Sequence, residues 1–202
     1  MNFLAHLHIA HVSNSSLMGN LLGDFVKGDP DKQYSQIVSQ GIRLHRFVDS
    51  YTDSHSVMRE AKSYFSPETR RFAGIALDVM WDHYLATNWK LYHDRPLNDF
   101  CRFAEREVKL EQHQSATISE LPNRYLQMTT RMWQGQWLQS YQTLENIEFA
   151  LQRMSHRSPR MAPLAECFAP LSTHYAELES LFVDFYPELL QVSRDFTYSS
   201  GK

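Results

Sequence analysis

Histidine and aspartate residues lie inside hydrophobic stretches in the first half of the chain. The stretches are residues 22–26, 44–49 and 77–84, and each of them contains at least one aspartate. Aspartate is a poor helix former, and burying its charge costs free energy unless something compensates it. The repeated use of aspartate in such surroundings predicts a bound ion or a charged partner nearby.

The spacing of these residues indicates a metal site. His45 and Asp49 are four positions apart, as are Asp78 and Asp82, so that each pair shares one helix face. His83 directly follows Asp82. Two helices that present carboxylates and imidazoles inward form a mixed nitrogen and oxygen site, which helical bundles commonly build in their cores. Such ligands suit Mn²⁺, Mg²⁺, Fe²⁺ or Zn²⁺, and the lack of cysteine argues against a structural zinc site.

Structural roles compete with ligand roles for the same residues. Asp53 could cap the helix that follows it, and Asp24 could be a turn residue. A lone His45 would be read as a core histidine, but its aspartate partner favours a ligand role. Asp82 and His83 are adjacent and cannot point in the same direction, so one would bind a metal and the other would support it. The histidines at positions 6, 8 and 11 form a tract that is weak evidence alone.

Helical periodicity runs through most of the chain and predicts the elements that carry these residues. Apolar residues recur at steps of three and four in segments 37–47, 67–89, 96–108, 125–132, 137–154 and 170–187. The polar stretch 112–117 is a loop or a helix end, and residues 119–122 separate two helices. No strand alternation or internal repeat is found. The sequence predicts an all-α protein, a compact bundle of about seven or eight helices in which residues 1–202 form a single domain.

Composition excludes several classes of protein. The 202 residues are 43% hydrophobic, which excludes a disordered chain, and only 7 glycines argue against a turn-rich sandwich or barrel. A net charge of −3 is unlike that of a general nucleic-acid or membrane-surface binder. No apolar run approaches the roughly 20 residues of a bilayer span, and no signal peptide is found. With Cys101 and Cys167 outside any metal spacing, we expect a cytoplasmic protein with free thiols.

Several blocks of the chain carry a resemblance to a known family. They are residues 1–7, 19–28 and 41–46 with Asp49 and Thr52-Asp53, then Arg70-Arg71, Asp78, Asp82-His83, Trp137-Leu138, Tyr141 and Arg153-Met154-Ser155. These blocks resemble the acyl carrier protein phosphodiesterase family. The match is dense to about residue 89 and thinner afterwards.

The resemblance implies an all-α fold that is distantly related to the HD-domain phosphohydrolases. It implies hydrolysis of holo-acyl carrier protein to the apo form and 4′-phosphopantetheine, with a divalent ion, Mn²⁺ preferred and Mg²⁺ or Fe²⁺ as alternatives. The contiguous His-Asp order of HD proteins is absent, since Asp82-His83 has the reverse order. The family's acidic and histidine positions fall on Asp24, His45, Asp49, Asp53, Asp78, Asp82 and His83, with His6 as an addition.

These positions suggest roles in hydrolysis of a phosphodiester. The metal-ligand candidates are Asp24, His45, Asp49, Asp82 and His83. Asp24 could instead act as a general base, while Asp53 and Asp78 would orient ligands or activate water. Arg43 and Arg46 could stabilise the charge of the phosphoryl group, with ordinary ion pairing to nearby acids as the alternative.

An acidic carrier protein requires a local basic surface on a chain of net negative charge. The segment 152–160 has three arginines and no acid, so Arg153, Arg157 and Arg160 are the candidates for docking. Arg70 and Arg71 are a second option. Acyl carrier protein is thus the expected partner, and neither nucleic acid nor a membrane is expected.

Two other functions are consistent with the same residues. An HD-type phosphohydrolase would act on nucleotides or another small phosphodiester without a carrier protein. A non-catalytic helical binding module would use the aspartates and histidines as a structural metal site, and would show metal-dependent melting without turnover.

Overall fold

The computed structural model describes residues 1–116 and 120–200, and within them all regular structure is helical. The all-α prediction is confirmed, although the eleven α-helices among the described residues exceed the predicted seven or eight. The helices are α1 Phe3–Val12, α2 Leu17–Leu22, α3 Gln36–Ser54, α4 Ser56–Ser63, α5 Ala73–Thr87, α6 Leu97–Ala116, α7 Asn123–Gln134, α8 Trp137–Ser140, α9 Leu144–Ser155, α10 Phe168–Thr173 and α11 Tyr175–Ser200. The polar stretch 112–116 is the end of α6, whereas Thr117 and Ser119 lie outside the described residues.

One predicted helix is two helices in the structure. The segment 137–154 divides into α8 and α9, with a break at residues 141–143. The side chain of Asn146 donates to the carbonyl of Ser140, and His83 from α5 donates to the carbonyl of Tyr141. These side chains satisfy backbone groups that a continuous helix would bond internally, so the break follows from contacts that the local periodicity does not contain.

The helix predicted over 67–89 begins later than its proline suggests. The amides of Thr69 and Arg70 both bond to the carbonyl of Ser66, which closes a turn, and Arg70–Phe72 is a short 3₁₀ helix. The α-helix itself starts at Ala73.

The last helix continues beyond the residue at which it is predicted to stop. Proline inside a helix removes one backbone hydrogen bond, yet α11 passes through Pro187. Tyr186 and Leu189, on either side of it, are fully buried in the core. Burial of these large apolar side chains offsets the lost hydrogen bond.

Helix α1 is the central element and packs against α2, α3, α5 and α11. Its residues are buried without interruption from Leu4 to Ala10, so the polar side chains in this stretch, His6 and His8, lie inside the protein. The side chain of its N-cap residue, Asn2, makes no capping bond. Instead Asp82 of α5 accepts hydrogen bonds from the amides of Leu4, at 2.8 Å, and Ala5, at 2.9 Å. This carboxylate satisfies the free amides of the first turn and attaches α1 to α5.

The hydrophobic core spans the described parts of the chain, from Met1 to Leu190, as one cluster. Serines begin the two helices that flank α1: Ser16 caps α2 by accepting from the amide of Gly19, and Ser35 caps α3 by accepting from that of Val38. Among the described residues, no helix is both long enough and apolar enough to cross a membrane.

Candidate metal centre

Three side chains from two helices converge beside the core. The Nε2 atom of His6 on α1 lies 3.1 Å from Oδ1 of Asp49 on α3, and Nε2 of His45 lies 3.0 Å from Oδ2 of the same carboxylate. One ligand atom from each residue lies within 4.8 Å of the other two, which is a spacing that can hold a metal ion. His45 and Asp49, which are four residues apart in the sequence, therefore lie beside His6 from a distant segment of the chain.

Asp24 closes the cluster from the loop that follows α2. Its Oδ1 atom lies 3.4 Å from Nε2 of His45. The two histidines are only 2% and 5% exposed, whereas the side chains of Asp49 and Asp24 are 37% and 57% exposed. The cluster therefore has an imidazole side in the core and a carboxylate side that faces solvent.

The imidazoles of the two histidines stack on one another. Their centroids are 3.9 Å apart and their planes differ by 22°. Both Nδ1 atoms are buried, and no hydrogen-bond partner for either is found within the described part of the chain. The hydrogen-bonding capacity of both rings is thus directed, through Nε2, at the aspartates.

The charges around the cluster give the two histidines different pKa values. Burial lowers the pKa of His45, but hydrogen bonds and charge from Asp24 and Asp49 outweigh burial and raise this pKa to about 9. Burial and the neighbouring charge of His45 lower the pKa of His6 to about 4, although Asp49 opposes them. Burial raises the pKa of Asp49, but its bonds with both histidines outweigh that effect and hold the pKa well below its ordinary value. In the absence of metal, His45 is therefore charged and His6 neutral at pH 7.

Asp78 and Asp53 lie beside the cluster rather than in it. The α-amino group of Met1 is 2.8 Å from Oδ1 of Asp78 and 3.6 Å from Oδ1 of Asp49. Burial raises the pKa of Asp78, as do the charges of Asp49 and Asp53, while the amino group lowers it. Asp53 is exposed in the last turn of α3 and does not cap α4, because His55 is the N-cap and accepts from the amide of Val57.

Asp82 and His83 face other parts of the protein. Burial raises the pKa of Asp82 to about 7, although the amides of Leu4 and Ala5 lower it, and both carboxylate oxygens are used by those amides. His83 donates from Nδ1 to the carbonyl of Tyr141, which leaves Nε2 to accept from the hydroxyl of Tyr175 at 2.9 Å. The ligand roles of these two residues stay predictions, and neither residue belongs to the cluster of His6, His45 and Asp49.

The two arginines near the cluster bind the loop that carries Asp24. The guanidinium of Arg43 pairs with Asp29 at 3.1 Å and with Asp31 at 2.6 Å, which is the ion pairing considered as the alternative to substrate binding. Arg46 donates to the carbonyls of Val26, at 2.7 Å, and Gly28, at 2.8 Å. Gly28 has a φ of 75°, which only glycine adopts readily.

The second group of arginines is exposed at the end of α9. Arg153 lies 5.7 Å from the ring centroids of both Trp137 and Phe149. Arg157 and Arg160 are exposed, and no carboxylate among the described residues lies within ion-pair distance of the three arginines. In contrast, Arg70 donates to the carbonyl of Phe65, and Arg71 lies over the ring of Phe72.

The histidines at positions 6, 8 and 11 do not by themselves indicate that His6 belongs to the candidate metal site. A better signal is its position in an apolar segment that is too continuous for a surface helix. Such a helix is buried on all sides, so each histidine on it requires a partner in the interior.

Comparisons with known proteins agree with the motifs of the chain. The family described as "Acyl carrier protein phosphodiesterase" matches residues 1–189. Proteins with that name from Klebsiella pneumoniae subsp. pneumoniae and Escherichia coli O157:H7 are 40% and 42% identical over 196 residues, which is 96% of this chain and 98% of each relative. A relative of the same name from an Enterobacter species is 43% identical over 191 residues, 94% of this chain and 96% of its own. No solved structure matches, so the relation to HD-domain proteins stays a prediction. The chain belongs to the acyl carrier protein phosphodiesterase family.

Proposed function

We propose that this chain hydrolyses the phosphodiester of holo-acyl carrier protein and releases 4′-phosphopantetheine and the apo protein, with a divalent metal held by His6, His45 and Asp49. The proposal rests on one observation. The ligand atoms of His6, His45 and Asp49 lie together, and the carboxylate of Asp49 is partly exposed to solvent. The names of the relatives supply the substrate, because each is called an acyl carrier protein phosphodiesterase.

The residues present fit a divalent metal of the first transition row. Two imidazole nitrogens and one carboxylate oxygen suit Mn²⁺ or Fe²⁺ better than Mg²⁺, which prefers oxygen ligands. Asp24 lies close enough to Nε2 of His45 to add a second carboxylate. The exposed carboxylate side leaves room for a ligand from solvent, which catalytic sites need and structural sites lack. We propose Mn²⁺, with Fe²⁺ or Mg²⁺ as the alternatives.

A divalent ion bound there would polarise the phosphodiester and lower the pKa of a water molecule. His6, which is neutral at pH 7, would offer the lone pair of Nε2 without net loss of a proton, because the ring hydrogen would move from Nε2 to Nδ1. The bond to His45 lowers the pKa of Asp24, so this exposed carboxylate is ionised and is the general base that we propose. We propose that Asp78 and Asp53 orient ligands or activate water beside Asp49.

The roles of the remaining candidates are indirect. Asp82 fixes the first turn of α1, and therefore the place of His6, through its two amide bonds. His83 connects α5 to the segments around Tyr141 and Tyr175. We propose that Arg43 and Arg46 act by holding the loop of Asp24 rather than by contacting the phosphate.

We propose the arginines in and after the last turn of α9 as the docking surface for the carrier protein. Arg153, Arg157 and Arg160 form an unpaired basic surface among the described residues, which suits an acidic protein. A series of contacts leads from this surface towards the candidate metal centre, beginning with Arg153, which lies 5.7 Å from the ring centroid of Trp137, four residues before Tyr141. The hydroxyl of Tyr141 accepts from Asn2, next to the amino group that contacts Asp78. A cytoplasmic location, where both buried cysteines would stay reduced, completes the proposal.

The test is the mass of holo-acyl carrier protein incubated with the metal-stripped chain, with and without Mn²⁺. Loss of the phosphopantetheine mass only with metal supports the proposal. Asp49→Asn keeps the shape but removes the charge, and we expect it to abolish both turnover and Mn²⁺ binding. Asp184→Asn, an exposed position on α11, is the matched control and should behave as the wild type. Wild-type turnover by Asp49→Asn, or turnover in a chelator, would contradict the metal site, while cleavage of nucleotides alone would contradict the substrate.

A further inference from the structure

Gly23, which directly precedes Asp24, lies against the imidazole of His45. A Cβ atom on Gly23 would lie 2.1 Å from Cδ2 of His45, 2.2 Å from its Cγ and 2.7 Å from its Cβ. Carbon atoms make favourable contacts at about 3.5–4.0 Å, so these distances are severe overlaps. Rotation of the ring cannot remove them all, because the clash includes the Cβ atom of His45 itself.

The backbone of Gly23 does not require glycine. Its φ of −50° and ψ of −40° are helical values that every L-residue adopts. Alanine would be preferred at such a position, because it loses less conformational entropy on folding. The space that His45 occupies is therefore the physical reason for a residue without a side chain at this position.

The imidazole of His45 has little room to move away. It stacks on the ring of His6 at 3.9 Å, and its Nε2 is held by Asp49 at 3.0 Å. Helix α3 itself packs closely on α2, since a Cβ on Gly19 would lie 2.5 Å from the carbonyl oxygen of Val38. A side chain at position 23 must therefore displace either the imidazole or the loop that begins with Asp24.

We propose that Gly23 is a positioning residue that sets the distance between His45 and Asp24 by having no side chain. The proposal deepens the metal site proposed above, and its metal-binding part rests on that site. The steric part is independent of any metal, because it concerns only how position 23 and His45 share one space.

The first test is a double-variant cycle measured as melting temperature in a chelator. Gly23→Ala should melt at a lower temperature than the wild type. In a His45→Gly background, which also removes the Cβ atom at position 45, the same change should be neutral or should raise the melting temperature, since the space is then free. If Gly23→Ala does not fold alone, recovery of folding in the double variant is the supporting result. An equal loss in both backgrounds, or no loss in either, would overturn the proposal.

The second test is Mn²⁺ affinity measured by electron paramagnetic resonance at equilibrium. We expect Gly23→Ala to weaken binding by at least about tenfold, as changes beside metal ligands commonly do. Gly74→Ala is the matched control on α5, because the nearest atom beyond its chain neighbours and its own helix backbone, Cε of Lys62, lies 3.8 Å from its added Cβ. Wild-type affinity in Gly23→Ala would overturn the metal-binding part. If the wild type binds no Mn²⁺ but the melting cycle shows coupling, the proposed metal site fails while the positioning of His45 is supported.

Discussion

The charge of His45 makes the stability of the metal-free protein depend on pH. Folding raises the pKa of this imidazole from 6.5 to about 9, because Asp24 and Asp49 hold its protonated form. Below pH 6.5 the group is protonated in both the folded and the unfolded state, so its stabilisation is fully present. Between pH 6.5 and 9 the unfolded state loses its proton first, and the stabilisation is lost as the pH rises.

The magnitude follows from the size of the shift. A shift from 6.5 to about 9, at about 1.4 kcal/mol for each pKa unit, corresponds to about 3 kcal/mol of unfolding free energy. The imidazole is only 5% exposed, so solvent screens this interaction weakly. For a chain of this length, 1 kcal/mol shifts the melting temperature by about 2–4 °C, so the full effect is roughly 10 °C.

The assay compares the wild type with His45→Gln in a chelator between pH 5.5 and 10. Asp82 and the α-amino group of Met1 also titrate in this range, but they are present in both proteins and largely cancel in the difference. The difference in melting temperature should be greatest near pH 6 and should shrink by roughly 10 °C towards pH 9.5. A difference that is flat over this range, or that grows with pH, would refute the protonated bridge between the two aspartates.

Three other substitutions test separate parts of the structure. Arg46→Ala removes two hydrogen bonds to carbonyls of the Asp24 loop, so chemical denaturation should show that the free energy of unfolding falls by about 2–3 kcal/mol. The KM for carrier protein should be unchanged, and a change in KM without a loss of stability would indicate that Arg46 binds substrate. Asp82→Ala leaves two buried amides of α1 without an acceptor, and we expect a loss of about 2–4 kcal/mol together with weaker Mn²⁺ binding; unchanged melting would contradict its capping role. Arg153→Glu should raise KM at low ionic strength and leave kcat unchanged, and a KM that does not respond to salt would argue against electrostatic docking.

Much of the fold and half of the candidate site follow from local patterns in the sequence. The pairing of His45 with Asp49 is a property of one helix, because residues four apart share a face wherever that helix packs. The burial of α1 can likewise be recognised from its sequence, in which every residue other than three histidines is apolar. The helix ends are less local: α8 and α9 separate because His83 and Asn146 satisfy backbone carbonyls at the break.

The tertiary structure decides which carboxylates meet an imidazole and which meet a backbone amide. Asp78 and Asp82 have the same four-residue spacing as His45 and Asp49, yet Asp82 caps α1 from 77 and 78 residues away in the sequence. His6 joins Asp49 across 43 residues for the same reason, since the cap on α1 sets where that imidazole lies. Side-chain spacing along a helix depends on the chain alone, whereas the group that a buried charge faces depends on how distant helices pack to exclude water.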